Sequence, residues 1–104
     1  MAAGPMRMRA TLAAGYTDLR VLMVHPMETG QRKDANGNVV PTHFIQEVSV
    51  RVNGKLMLEG QISQAVSRNP VFSFRLKGGA KGDRIEVAWL DNNGETNQTE
   101  AAVA

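Results

Sequence analysis

The sequence predicts an all-β chain, an immunoglobulin-like antiparallel β-sandwich of about seven strands forming one domain over residues 1–104. Three observations predict it. Apolar residues recur with a period of two through most of the chain, which is the spacing of a strand with one buried face. Turn-forming Asn, Asp and Gly interrupt these runs at short intervals. No segment of the sequence requires the three-to-four spacing of an amphipathic helix.

Taken in order, Met6, Met8, Ala10 and Leu12 alternate with Arg7, Arg9 and Thr11, which places a half-buried strand at 6–13. A second strand is expected at 18–26. A third, at 43–52, carries Phe44, Val48, Val50 and Val52 on one parity, with Gln46 as the single break in the set. Asn53-Gly54 follows and is the strongest hairpin signal in the chain, because both positions tolerate positive φ. It leads into a strand at 55–61. Phe72, Phe74 and Leu76 define a strand at 71–77, and Ile85, Val87 and Trp89 another at 84–90. Gly78-Gly79-Ala80-Lys81-Gly82 reads as a flexible hairpin between those two. Asp91-Asn92-Asn93-Gly94 is a further hairpin loop, followed by a polar edge strand at 95–101. Two loops, Met27 to Val40 and Ser63 to Pro70, are longer than the fold needs, and loops of that kind tend to carry function.

Composition narrows the function. The chain holds 12 Lys and Arg against 10 Asp and Glu, a formal charge of +2, with the cations spread along it and few aromatics. Nucleic-acid binding needs a basic stripe or aromatic platforms, and neither stands out. There is no Cys, which excludes a disulfide framework, a thiolate metal site and a cysteine nucleophile. The first residues lack the apolar core of a signal peptide, so by its own sequence the chain is expected to stay cytoplasmic, and an exported location would require cleavage before residue 1 or a partner that carries it across.

Enzymatic readings find no support in the sequence. A hydrolytic triad needs a presented nucleophile beside an oriented His, and only His25 and His43 are present, with no Gly-x-Ser-x-Gly elbow. The Gly78–Gly82 run lacks the spacing and the Lys-Ser/Thr ending of a phosphate loop. Asp34-Ala35-Asn36-Gly37-Asn38 and Asp91-Asn92-Asn93-Gly94-Glu95 are too short for calcium loops and read as β-turns. The chain is therefore expected not to be an enzyme and to carry no cofactor.

The stretch Val21-Leu22-Met23-Val24-His25-Pro26-Met27 is the most informative one. Met23, His25 and Met27 share a parity, and two thioethers with an imidazole would suit Cu(I), so a periplasmic copper-binding sandwich is the alternative function. Against it, Pro26 should end the strand before Met27 aligns, leaving Met23 as core filling and His25 at the sheet rim. The same strand is apolar on both faces: Leu19, Val21 and Met23 on one, Leu22 and Val24 on the other. A one-sided sandwich strand should alternate with polar residues, so the second face is expected to be covered, either by this chain or by a partner.

These loop residues also carry a resemblance. His25-Pro26-Met27-Glu28-Thr29-Gly30, Arg32-Lys33-Asp34, Gly37, Pro41 and His43-Phe44-Ile45 resemble the SoxZ family, as do Ser67-Arg68-Asn69-Pro70 with Phe72 and Phe74, and Gly82-Asp83 with Trp89-Leu90-Asp91-Asn92-Asn93-Gly94. The resemblance runs from about Leu19 to Glu95. It implies a non-catalytic subunit that forms a tight heterodimer with SoxY, whose mobile Gly-rich tail carries sulfur intermediates on a single Cys during thiosulfate oxidation. The absence of Cys here agrees with the scaffolding side of such a pair. It also implies a periplasmic location reached by riding with a signal-bearing partner, and contact with other periplasmic sulfur-oxidation enzymes through the complex. The expected partner surface comprises Leu22 and Val24, the first-loop residues His25, Pro26, Met27, Glu28, Arg32 and Asp34, and Asn69 of the second loop.

Overall fold

The structure, a computed structural model, describes residues 6–62 and 68–104. Met1 to Pro5, and Ser63 to Ser67 of the second expected loop, lie outside the described residues. Seven strands are present: β1 (Met6–Ala13), β2 (Tyr16–Met23), β3 (Ile45–Val52), β4 (Lys55–Gln61), β5 (Val71–Lys77), β6 (Arg84–Asp91) and β7 (Thr96–Ala102). They form two antiparallel sheets, β1-β2-β5 and β4-β3-β6-β7, with no helix among the described residues. The fold class is the one the alternation predicts. Relative to a constant-type immunoglobulin domain, the fourth strand joins the edge of β3 instead of the three-stranded sheet.

The core forms where the inward parities of the two sheets meet. Leu19, Val21 and Met23 of β2 share one buried cluster with Val48 and Val50 of β3 and Ile85, Val87 and Trp89 of β6. Phe72, Phe74 and Leu76 of β5 pack against it half-buried. On one side the sandwich is sealed by backbone. The Ala104 N–H donates to the Ala10 carbonyl (3.1 Å) and the Leu12 N–H to the Ala104 carbonyl (3.3 Å), with Val103 buried beneath. On the other side β4 is exposed along nearly its whole length, and it presents Leu56, Met57 and Leu58 at its edge.

Two expectations need correction. The break at Gln46 is a β-bulge: Ile45 pairs with Asp91 and Glu47 with Leu90, so Gln46 is the extra residue. The bulge switches parity, burying Ile45 completely and leaving Phe44 half-buried. The Gly78–Gly82 segment is not a hairpin, because β5 pairs with β2 and β6 with β3; it is a crossover between the sheets. Gly79 is required there, since its φ is +105° and a side chain would run into Thr17 Oγ1.

The first long loop folds back on itself as a narrow arm. Glu28 and His43 exchange both backbone hydrogen bonds, and further out the Val40 N–H donates to the Arg32 carbonyl (2.8 Å). The tip is closed by Asp34, whose Oδ1 accepts the N–H groups of Asn36 (2.9 Å) and Asn38 (3.0 Å). This is turn chemistry, as expected from the sequence. Gly30 lets the arm bend. It sits at φ +83°, and a Cβ there would lie 2.9 Å from Thr42 Oγ1.

Candidate functional site

The inward parity of β2 continues past the strand's end. Met23, His25 and Met27 are all buried, so the sequence carries its core-facing register into the arm although strand pairing stops at Met23. His25 is therefore not at the rim, as expected, but 1% exposed. An imidazole so placed needs partners for both nitrogens. The Met27 N–H donates to Nδ1 (3.1 Å), and Nε2 lies 3.1 Å from Asp91 Oδ2. Pro26 supplies no N–H and leaves Met27 to turn inward at φ +49°.

Asp91 sits at the end of β6, on the same parity as Ile85, Val87 and Trp89, and is 1% exposed. Its Oδ1 accepts the N–H groups of Asn93 (3.0 Å) and Glu95 (2.9 Å) in the turn that follows. Its Oδ2 faces His25 Nε2 and also His43 Nε2 at 2.7 Å. His43 lies 3.3 Å from the half-exposed carboxylate of Glu95 as well. The two imidazoles meet edge to face with centroids 4.6 Å apart, and His25 stands against the Trp89 ring at 5.2 Å.

The electrostatics follow from this packing. Burial holds His25 below the ordinary histidine pKa, and the neighbouring His43 pushes the same way. Burial alone would raise the Asp91 carboxyl. Its hydrogen bonds from His25, His43 and the backbone of Glu95 and Asn93 outweigh that and hold it below the usual carboxylate range. Asp91 is thus ionised beside a neutral His25.

His25, His43 and Asp91 have ligand atoms within 4.8 Å of one another, the spacing of a metal site. The donor set does not fit one. In a neutral ring one nitrogen donates and the other accepts. Because His25 Nδ1 accepts the Met27 N–H, the ring proton is on Nε2 and is donated to Asp91. A metal at Nε2 would force that proton onto Nδ1, against the Met27 N–H. The copper alternative is likewise not supported. Met23 is in the core, and Met27 Sδ accepts the Ile45 N–H at 3.4 Å on the β3 side.

The remaining expected partner residues divide into two groups. Asn69 meets His25 directly: its Oδ1 accepts the His25 N–H (3.0 Å), and its own N–H donates to the His25 carbonyl (2.9 Å). The second loop is thereby tied to the first. Glu28 is buried under Arg32, whose Nε reaches both carboxylate oxygens (3.0 and 3.1 Å) while Nη2 reaches Oε1 (2.8 Å). This fork lowers the Glu28 pKa and raises that of Arg32. With Pro26, Thr42, His43 and Asn93 the pair lines a shallow cleft of about 230 Å³. Asp34 is apart, at the exposed tip of the arm. Leu22 of β2 and Val24, just past its end, are half-buried and off the inward parity of Met23 and His25.

His25 and Met27 thus face inward and shape the arm from below, while Pro26, Arg32, Asp34 and Asn69 present its surface. Sequence reasoning missed His43 and Asp91 as partners of His25, and Glu95 as a partner of His43. The signal was the parity of β6: Asp91 follows Ile85, Val87 and Trp89 inward, and a carboxylate on a core parity demands buried donors.

The family model described as Sulphur oxidation protein SoxZ matches residues 6–102, nearly the whole chain. No curated protein gives a match.

Proposed function

The chain belongs to the SoxZ family of sulphur oxidation proteins, and from that premise we propose that it is the non-catalytic subunit of a SoxYZ-like carrier complex. In this reading it pairs with a SoxY-type chain that holds sulfur intermediates on its own cysteine during thiosulfate oxidation. The observation that carries the reading is the family match to a chain with no Cys of its own to hold such a group. The His25–His43–Asp91 cluster supports it, because each polar atom facing Asp91 is committed to a hydrogen bond within the fold, and the central carboxylate is sealed from solvent.

Pairing engages Leu22 and Val24 on the outer side of β2 together with the arm and Asn69. An obligate interface resembles a domain core cut in half, which suits a strand with apolar residues on both parities. The complex works in the periplasm, which this chain reaches in the company of a signal-bearing partner, and other sulfur-oxidation enzymes meet it through the complex.

Co-expression with a SoxY-type chain, tagged on the partner alone, tests the proposal. The two chains should co-purify in equal amounts, and this chain by itself should yield no product from thiosulfate and an electron acceptor. Turnover by the isolated chain, abolished in His25→Ala, would reverse the non-enzymatic assignment. Elemental analysis should find well under one metal ion per chain.

A further inference from the structure

On the three-stranded sheet the outward parities bring cations together. Arg9 of β1 is the direct cross-strand partner of Arg20 of β2, and Arg7, two residues along β1, is the partner of Leu22. Directly opposed side chains in a sheet have Cβ atoms about 4.5–5.5 Å apart, and diagonal ones about 7–8 Å, so the three guanidinium groups share one small area. All three are exposed, and among the described residues none has an ion pair or hydrogen bond to another side chain.

The one carboxylate on this face, Asp18, is already held by Arg75 at 3.1 Å, with the Arg75 guanidinium also 4.1 Å over the Tyr16 ring. Residues 1–5 and 63–67 contain no Asp or Glu, so no carboxylate from those segments can neutralise the arginines. Like charges placed directly opposite one another weaken a sheet. The chain therefore carries a like-charged, unfavourable cross-strand pair.

The opposite sheet is different in kind. The outward parities of β3, β4, β6 and β7 carry Glu47, Glu59, Glu86 and Glu100 against Arg51 and Arg84, and Arg84 lies 3.6 Å from Glu100. The molecule thus has one basic face and one mixed, net acidic face. Beside Arg7 the basic face becomes apolar: Leu22 is the cross-strand partner of Val71, which is 56% exposed.

We infer that the outer face of β1 and β2 docks an acidic face of the SoxY-type partner, with Arg7, Arg9 and Arg20 opposite its carboxylates and Leu22 and Val71 as the apolar anchor. This rests on the pairing proposed above and adds the chemistry of the surface that pairs. Continuity of the cationic patch with Leu22 and Val71 favours a protein. A nucleic-acid backbone offers the arginines phosphates but offers the aliphatic pair nothing, and three cations neutralise few phosphates. Charges flanking an apolar contact steer encounter and set register more than they set final affinity.

The test measures association of the full chain with a separately purified SoxY-type chain at low and high salt. Wild type should associate at least about tenfold faster at low salt, as steered encounters do. Arg9→Gln/Arg20→Gln should lose most of that salt dependence and associate about tenfold more slowly at low salt, while Arg51→Gln on the other sheet should behave as wild type. The double variant should melt no lower than wild type, which separates a docking role from a structural one. A complex whose formation is indifferent to salt and to the double substitution overturns this inference and leaves the pairing intact. No complex in any salt overturns both. Arginine-dependent binding of oligothymidine in preference to the partner, or arginine-dependent self-association of the chain at the same concentrations, would assign the face to nucleic acid or to a second copy and also overturn it.

Discussion

At the arm end of the sandwich one carboxylate, Asp91, receives hydrogen bonds from two imidazoles and two backbone N–H groups. On the outer face of β1 and β2, three arginines donate to no side chain among the described residues. The first site is buried and closed, and the second is open to solvent and charged. Burial forces a polar group to find partners inside the fold, because an unpaired buried charge is costly. Solvent imposes no such demand, so charge left unpaired on a sheet face is free to serve recognition. The titratable cluster that most resembles a reactive centre is thus the part committed to holding the arm, and the surface is where a partner can be met.

The largest effect that would break this comparison is removal of the central carboxylate. Asp91→Ala leaves the His25 ring N–H and two backbone N–H groups without an acceptor and His43 with Glu95 alone, and should cost about 3–5 kcal/mol of stability in denaturant unfolding. Asp91→Asn retains an acceptor for Asn93 and Glu95 but turns amide hydrogens toward His25 and His43, so it should also be destabilised. A loss below about 1 kcal/mol for Asp91→Ala would mean that the cluster does not anchor the fold.

A smaller effect follows from pH. His25 has its pKa lowered by burial, so the unfolded chain binds its proton more readily than the folded one. That contribution to stability is present above the ordinary histidine pKa of about 6.5 and is lost as pH falls below it, with a slope of at most about 1.4 kcal/mol per pH unit for one proton. Asp91, also lowered, adds a second loss at more acid pH, as it falls through the ordinary carboxylate pKa of about 3.9. Melting temperature followed from neutral to mildly acid pH should decline in two stages. In His25→Phe the first stage should shrink.

The smallest expected effect sharpens the other half of the comparison. Arg9→Gln/Arg20→Gln removes a like-charged cross-strand pair and should leave stability unchanged or raise it by up to about 0.5 kcal/mol. A clear loss would show that these side chains serve the fold.

How legible these two regions were differs for physical reasons. The strands were readable because period two is a local property, and even the anomaly at Gln46 was visible as a break that the bulge explains. Which sheet each strand joins was not local, so the Gly78–Gly82 crossover looked like a hairpin. The cluster joins His25 and Asp91 across 66 positions, and no motif spans that distance. Only the inward parity of Asp91 hinted at it, and reading Asp91–Gly94 as a turn, which it also is, hid the hint. The arm residues that carried the family resemblance were legible as a set. The division of that set into inward His25 and Met27 and outward Pro26, Arg32 and Asp34 required the fold.

The proposed pairing with a carrier partner runs through the outer side of β2. Val24 is half-buried on that side, off the parity of Met23 and His25. The most direct measurement is light scattering on a sizing column of the chain co-expressed with a SoxY-type partner, comparing wild type with Val24→Asp and recording the melting transition of each isolated chain. Wild type should form a one-to-one heterodimer and Val24→Asp should leave separate chains, with the melting transition retained, because a carboxylate buried without a partner costs several kcal/mol of binding, on the order of 3–5. A heterodimer that survives Val24→Asp, or a variant that unfolds before pairing can be scored, would contradict the proposed pairing surface by placing the interface elsewhere or Val24 in the domain's own core.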